Sequence, residues 1–432
     1  MASLAQDLGV QERARRHITL RLLPFLFLLY IIAFLDRVNV GFAGLEMSRD
    51  LGFTDRIFGL GAGIFFIGYF IFEIPGALIV ERWSARKWIA RILITWGIVT
   101  IAIAAVHTPR QFYVARFVLG LAEAGFFPGM VVYLTHWFCR EDRAKAVAMF
   151  MAAIPMSNII GSPFAGWILG ARWFGQAGWR WLFVVEGIPA VLFGFVTLVY
   201  LTDWPAQAKW LPEDEREWIT AELQREKDAT NAKLSCTVWE ALRRREVLLL
   251  TAVYFLAITG LYGFIVWFPT IVKRATGLPN LAVTLLSALP YLLGLVAMLW
   301  NGWHSDRSGE RRWHTAIPLF LGGTCLGLAL LTGNHLPLAF LFMIVVGACT
   351  TIFMPAFWAL PTELLTDSAA AASIGMINSV GNLGGFVGPF GIGYLQTLTH
   401  SFVPGLVLLL VGMVLSGAVV LALPRSHRLA QG

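Results

Sequence analysis

Charge is scarce in this chain. Only 14% of its 432 residues are Asp, Glu, Lys or Arg, 57% are hydrophobic, and the mean hydropathy is +0.70. Soluble domains run near ~25% charged, so a chain with this little polar surface is not solvated as a globule and belongs in a bilayer. Cysteine is scarce as well. The four thiols, Cys139, Cys236, Cys325 and Cys349, fall at no metal-type spacing, which excludes a metal or redox centre and leaves free thiols. The eight histidines, His136, His304 and His314 among them, are scattered near loops in no ligand spacing. No catalytic motif is present, so neither an enzyme nor a cofactor is read from the chain. A small-residue cleavage site after the first apolar run is also missing, and that run reads as a retained span, not a signal peptide. The net charge of +7 requires no nucleic acid, because lysines and arginines on cytoplasmic loops account for it.

Long apolar runs are abundant. A bilayer core takes ~20 apolar residues per helix, and twelve runs qualify. Six lie near 18–44, 57–80, 88–106, 110–138, 145–170 and 180–201. Six more lie near 247–272, 281–302, 314–332, 337–362, 369–395 and 402–423. The expected fold is an all-α membrane protein with twelve transmembrane helices in two pseudo-symmetric six-helix bundles, residues 18–201 and 247–423. Short tails, 1–17 and 424–432, flank them. The one long polar stretch, 202–246, joins the halves. Pro212 followed by Glu213, Asp214 and Glu215 signals a helix start there. Trp218, Ile219 and Leu223 form one apolar face of that helix, suited either to the membrane surface or to a solvated spacer. Charge supports the count. With the N-terminus cytoplasmic, the inner loops and both tails hold 24 of the 33 Lys and Arg, and the outer loops hold seven: Arg49, Arg56, Arg110, Arg172, Arg180, Lys273 and Arg274. That bias predicts both termini inside.

The chain also repeats itself. Glu81-Arg82-Trp83-Ser84-Ala85-Arg86-Lys87 and Asp306-Arg307-Ser308-Gly309-Glu310-Arg311-Arg312 superpose at an offset of 225, acid on acid and base on base. Pro128 in span 4 is answered by Pro355 in span 10, and Gly161-Ser162-Pro163-Phe164 in span 5 by Gly388-Pro389-Phe390 in span 11. A chain built twice around paired loops between spans points to a transporter.

The second loop, from Gly302 to Arg312, matches the signature of the major facilitator superfamily. Arg116-Phe117-Val118-Leu119-Gly120 through Glu123 to Pro128 resembles the anion:cation symporter branch, which includes permeases for sugar acids, tartrate and phthalate. Leu35 to Asn39, Trp179 to Phe183, Glu186 to Pro189, Phe357 to Pro361 and Ile377 to Gly385 extend the resemblance over essentially the whole chain. The resemblance implies proton-coupled uptake of an organic carboxylate by alternating access across the cell's inner membrane. The chain is then a monomer with a small organic anion, protons and the lipid bilayer as its partners.

Four ionisable side chains fall inside apolar helices: Asp36, Arg37, Arg116 and Glu123. A charge at the bilayer centre costs at least ~2.5–3.5 kcal/mol, so each needs a partner or a water-filled cavity. Arg116 and Glu123 are seven residues apart, two turns along one face. Arginine offers a permanent cation and a planar donor fork suited to a carboxylate. A carboxyl group in a low-dielectric cavity can load a proton on one side and release it on the other. By the resemblance, Arg37 receives the substrate carboxylate, Asp36 and Glu123 take protons, and Arg116 pairs with one of the acids; the competing reading is a purely structural ion-pair network. Tyr69 matches a substrate-contacting tyrosine of sugar-acid carriers, with packing as its alternative. Asn378 and Asn382 form an amide stripe on span 11 that hydrogen-bonds either substrate hydroxyls or neighbouring helices. Tyr262 and Trp358 line the cavity from the C-terminal half or pack in its core. Glu73 and Glu186 read as gate or packing groups with buried hydrogen bonds. Glu81, Arg82, Asp306 and Arg307 read as gating parts, the arginines engaging acids or helix ends on neighbouring spans.

Two rivals accompany this reading. One is a proton-coupled exporter of drugs or metabolites on the same scaffold, disfavoured because span 5 lacks the full glycine-rich pattern usual in such exporters. The other is a membrane-embedded anion sensor, disfavoured by the retained gating loops. The first copy of the duplicated loop is degraded: Glu81 replaces the usual Asp, Ser84 the usual Gly, and Ala77 stands where Gly302 does. That half holds all four buried charges, so proton and carboxylate handling is expected there, with amides and aromatics contributed by the other half.

Overall fold

Several helix starts are set by residues in the loops before them. Thr54 Oγ1 accepts from Ile57 N at 3.3 Å and Ser84 Oγ from Lys87 N at 3.1 Å. Thr108 and Gln111 cap each other reciprocally ahead of Pro109. Each of these satisfies backbone N–H groups that a helix start leaves without partners. The computed structural model describes residues 2–231, 243–333, 335–364 and 367–424; the side chains of a few helical residues within these ranges, Glu81 and Arg82 among them, lie outside the described set, as does the tail beyond Pro424.

The described chain is almost entirely helical. The first half comprises span 1 (Ala2–Asp50), span 2 (Asp55–Arg82), span 3 (Ala85–Ile103), span 4 (Pro109–Glu123 and Phe126–Thr135), span 5 (Arg140–Met151 and Ala153–Leu169) and span 6 (Gly178–Tyr200). A linker helix, Glu213–Asn231, follows. The second half comprises span 7 (Arg245–Thr276), span 8 (Asn280–Ser308), span 9 (Arg312–Leu331), span 10 (Leu336–Ile352 and Met354–Leu364), span 11 (Asp367–Gly381 and Gly384–Thr399) and span 12 (Val403–Leu421). Among the described residues, ten of these are individually long and apolar enough to cross a bilayer. The two exceptions have physical causes. Span 3 carries Arg86, Lys87 and Arg91 in its first turns, and the described part of span 11 is diluted by Asn378, Asn382 and repeated glycines. Large apolar side chains such as Val199, Val296 and Leu331 are exposed on the outside of the bundles, as lipid contact requires.

Packing follows the repeat. Span 3 lies against span 6 as span 9 lies against span 12, span 2 against span 4 as span 8 against span 10, and span 1 against span 6 as span 7 against span 12. Between the halves, spans 1 and 7, 2 and 11, and 5 and 8 meet. Small residues permit the closest approaches. A Cβ on Gly97 would lie 2.7 Å from the Gly187 carbonyl oxygen across spans 3 and 6, and one on Gly59 would lie 2.6 Å from the Pro389 carbonyl oxygen across the halves.

Spans 4, 5, 10 and 11 are broken near mid-length, which the apolar runs did not indicate. In span 4 the break is at Ala124 and Gly125, where Gly125 adopts φ 85°, a left-handed value that glycine adopts without strain. Irregular backbone at membrane depth occurs where it is buried in protein or lines a cavity.

Two expectations change. The stretch expected as a tail, 1–17, is helical from Ala2 and continues unbroken into span 1, which runs to Asp50. The linker helix does not lay its apolar face on lipid. Ile219 is buried beside Ile18, Trp137 and Phe138, while Glu215 accepts from Arg13 and His17 and Asp214 from Arg13. The face that composition offered to the membrane packs on the base of the first bundle.

Candidate functional site

Between the halves lies a cavity of about 420 Å³, its mouth included. Spans 1 and 2 contribute Tyr30, Phe34, Arg37 and Tyr69, and spans 7, 10 and 11 contribute Tyr254, Tyr262, Trp358, Asn378 and Asn382. All six residues expected at the substrate, Arg37, Tyr69, Tyr262, Trp358, Asn378 and Asn382, stand on this one lining. Among the described residues Arg37 is the only basic one on it.

Arg37 is ion-paired with Glu123, which is fully buried on span 4 one residue before the break. It also donates to the Tyr262 hydroxyl at 3.3 Å and lies 5.1 Å from the centre of the Tyr69 ring. Arg37 and Tyr262 are 225 residues apart, the repeat offset, so equivalent positions of the two halves meet as a cation and a phenol. Arg37 Nε, Glu123 Oε2 and Trp358 Nε1 have no hydrogen-bond partner among the described residues. Two residues with an unsatisfied donor, Arg37 and Trp358, thus stand on the cavity lining.

Asp36, the next residue to Arg37, faces elsewhere. It accepts from Trp96 Nε1 at 2.6 Å, Thr100 Oγ1 at 2.9 Å and Asn39 Nδ2 at 2.9 Å, and so belongs to the seam between spans 1 and 3. Successive helical residues diverge by about 100°, which sends one charge into the cavity and the other into the bundle. Arg116 does not pair with an acid as expected. Its guanidinium reaches the Gly61 and Ala62 carbonyl oxygens at 3.4 and 3.5 Å and lies over the Phe65 ring at 4.9 Å. The pairing goes to Arg37 instead: Glu123, two turns along span 4 from Arg116, meets the guanidinium that span 1 brings to the cavity wall.

The gating expectations are also redistributed. Arg307 lies over the Trp303 ring at 5.7 Å, while Asp306, largely exposed, pairs with Arg311 at 2.6 Å. Arg311 Nε also reaches Glu363 of span 10 at 3.0 Å. Burial alone would lower this loop guanidinium, but hydrogen bonds to Asp306 and Glu363 outweigh it and hold Arg311 above its ordinary value. At the equivalent position Arg86 bonds Asp203 through its backbone N–H at 2.9 Å and the Leu198 carbonyl through Nη1 at 3.2 Å. In the second loop the anchoring base is thus Arg311, one turn after the arginine expected; in the first Arg86 anchors, while the expected Glu81 and Arg82 lie outside the described side chains.

Away from the termini the halves are clamped. Arg274 donates to both oxygens of Asp55 at 2.5 and 2.7 Å, Asn280 Nδ2 to Glu46 at 2.8 Å, and Arg56 N to Thr397 Oγ1 at 3.0 Å. On the side of the termini, one hydrogen bond crosses between the halves among the described residues, from Asn378 Nδ2 to Glu73 Oε1. Glu186 is buried on span 6 near Asp36 and Asn39, apart from the cavity.

Sequence reasoning did not single out Tyr30 and Tyr254 on the cavity wall. Their signal was spacing: Tyr30 lies seven residues before Arg37 and Tyr254 eight before Tyr262, each about two turns along the same face.

A family model described as Major Facilitator Superfamily matches residues 26–389. A protein of Agrobacterium vitis named "Putative tartrate transporter" is 46% identical over 423 residues, 96% of each chain. The "Quinolone resistance transporter" of Acinetobacter baumannii is 40% identical over 417 residues, 95% of each chain. Among solved structures, a D-xylose–proton symporter superposes with a TM-score of 0.71 at 16% identity, covering 93% of this chain and 97% of that one, a likeness of fold.

Proposed function

The chain belongs to the major facilitator superfamily, a family of multi-pass membrane transporters and not of enzymes, and from that premise we propose that it imports an organic carboxylate together with protons by alternating access. The observation that carries this reading is Arg37, on the wall of a cavity that both halves line, ion-paired with the fully buried Glu123 behind it. In the empty protein the pair is neutral. A proton on Glu123 removes the counter-charge, and a substrate carboxylate then takes its place on Arg37. The site is neutral again, so the loaded cavity can turn across the membrane without carrying a buried net charge. A monoanion travels with one proton by this count, and a dianion needs a second, for which Asp36 is the candidate. Arg37 and Trp358 supply free donors to the carboxylate, and the amides of Asn378 and Asn382 suit hydroxyls. The tartrate name of a 46% identical relative supports a small hydroxylated acid as substrate. The lysine and arginine bias supports both termini in the cytoplasm and the inner membrane as location.

The test is uptake of radiolabelled tartrate, sugar acids and aromatic acids into liposomes under an imposed pH gradient, acid outside. Accumulation that follows the gradient is expected. Uptake of a carboxylate indifferent to the gradient would sink proton coupling, and failure to move any of them would sink the substrate class. The quinolone-resistance relative favours export as the second reading; a quinolone carried outward against protons in the same liposomes, with no carboxylate uptake, would establish it.

A further inference from the structure

Phe65, Tyr69 and Glu73 follow one another at four-residue spacing on span 2 and are all buried. They form a single stripe. Tyr69 lines the cavity, and Glu73 sits one turn further along, outside the lining itself. Its Oε1 accepts from Asn378 Nδ2 of the opposite half. Among the described residues Asn378 gives Glu73 its one full hydrogen bond, and the Ser379 hydroxyl lies close by as a weaker polar neighbour. Burying a carboxyl group costs hydration that apolar packing does not return, so packing alone is a poor reason to keep an acid there.

Asn378 is the link to the cavity, since it belongs to both the lining and this bond. A carboxylate only accepts hydrogen bonds, whereas an amide has one accepting end and one donating end. A carboxylate against the amide therefore dictates its orientation: Nδ2 turns to Glu73, and Oδ1 is left for the cavity, where it makes no hydrogen bond to the described protein. The cavity is divided as a result. Arg37 and Trp358 present donors, and Asn378 presents an acceptor.

We propose that Glu73 is a positioning residue that orients Asn378 so that the cavity selects acids bearing a hydroxyl beside the carboxylate over acids that lack one. A hydroxyl donates to the Asn378 carbonyl oxygen, and an unsubstituted carbon chain leaves that oxygen dry and unpaired. This inference rests on the cavity receiving an organic carboxylate, and it adds a rule for choosing among carboxylates that Arg37 alone does not supply. Because the orienting bond crosses between the halves, the selective geometry exists only when they are in this arrangement.

Tartrate and succinate share a carbon skeleton and two carboxylates and differ in the hydroxyls, so their ratio of dissociation constants isolates the effect. Both are measured by calorimetry on the purified full-length protein. The wild type is expected to prefer tartrate. Glu73→Ala frees the amide to rotate and lowers that preference by about tenfold, the value of one hydroxyl–carbonyl bond with its dry alternative, through tartrate alone; succinate affinity stays within about twofold, the spread of a pair that does not couple. Glu73→Gln still accepts from Asn378 through its own carbonyl and restores most of the preference. Equal losses for both acids in Glu73→Ala would mean general damage and overturn the proposal, as would an unchanged ratio or a wild type with no preference. A wild type that binds neither these acids nor any other carboxylate removes the transport reading itself, whereas one that binds them with a ratio indifferent to Glu73 removes only this inference.

Discussion

Glu123→Gln separates substrate binding from proton coupling. In the empty cavity Arg37 is not free: it is ion-paired with fully buried Glu123 and further bonded to Tyr262 at 3.3 Å. A substrate carboxylate must displace Glu123 to use the guanidinium. Hydrogen bonds to charged partners contribute about 1.5–3 kcal/mol and neutral ones about 0.5–1.5 kcal/mol. Glutamine keeps the size and an accepting oxygen but loses the charge, so the displacement becomes easier by roughly 1–1.5 kcal/mol. At about 1.4 kcal/mol per factor of ten, Glu123→Gln should bind tartrate about tenfold more tightly than the wild type with Glu123 ionised, the limit approached as the pH is raised. As the pH falls and Glu123 gains its proton the two proteins should converge, because the wild type then resembles the variant. The sign is definite: wild-type affinity declines as pH rises, and the variant's stays flat. Calorimetry across about pH 5 to 8, a range chosen around ordinary carboxyl and histidine values, reads this directly. In liposomes the variant should exchange tartrate in counterflow but fail to accumulate it on a pH gradient. A wild-type affinity that does not change across the range, or gradient-driven accumulation left intact, would refute the reasoning. Arg37→Ala serves as the control, expected to lose tartrate binding at every pH.

Other outcomes follow from the same geometry. Reversing either charge of the bidentate Asp55–Arg274 pair should slow transport while leaving tartrate affinity nearly unchanged, since the pair lies outside the cavity; the double reversal, Asp55→Arg with Arg274→Asp, should recover part of the rate, and failure to recover would mean the two act separately. Gly97→Val forces a side chain to within 2.7 Å of the Gly187 carbonyl oxygen and Val191. Overpacking of about 1–3 kcal/mol predicts a melting temperature lower by several degrees, whereas Gly375→Ala, which meets nothing within 4 Å, should not lower it. Cys139 is buried, and its thiol is pushed up to about 11, chiefly by that burial and then by Glu226. A maleimide at pH 7 should leave it unmodified in the folded protein and modify it after unfolding, as mass spectrometry of peptides would show.

Much of the scaffold was legible because it depends on features local in sequence. Run length, the duplicated loop and the loop charges each follow from bilayer thickness or from the repeat, and none needs a neighbour's position. Site residues were legible as candidates for a related reason: a charge, amide or phenol inside an apolar helix is conspicuous. Their partners were not. Arg116 and Glu123 share a helix face and invite pairing, yet Arg37 from another helix takes Glu123. Tyr30 and Tyr254 carried only a weak signal in a chain with 32 phenylalanines and 17 tryptophans. The helix breaks in spans 4, 5, 10 and 11 were hidden because an apolar run reads the same whether its backbone is continuous or interrupted.

The amino-acid sequence by itself determined a bilayer-embedded, twice-built helical chain with its ionisable groups concentrated in the first half, since hydropathy, repetition and composition are properties of segments taken one at a time. Only the tertiary structure decided what those groups do to one another. Which of Asp36 and Arg37 enters the cavity depends on the rotation of span 1 against spans 3 and 7. The clamp of Asp55 on Arg274 and the bond of Glu73 to Asn378 depend on how the two halves meet. Side-chain direction and contact between distant segments are set by packing of whole helices, and no local pattern encodes the angle at which one helix faces another.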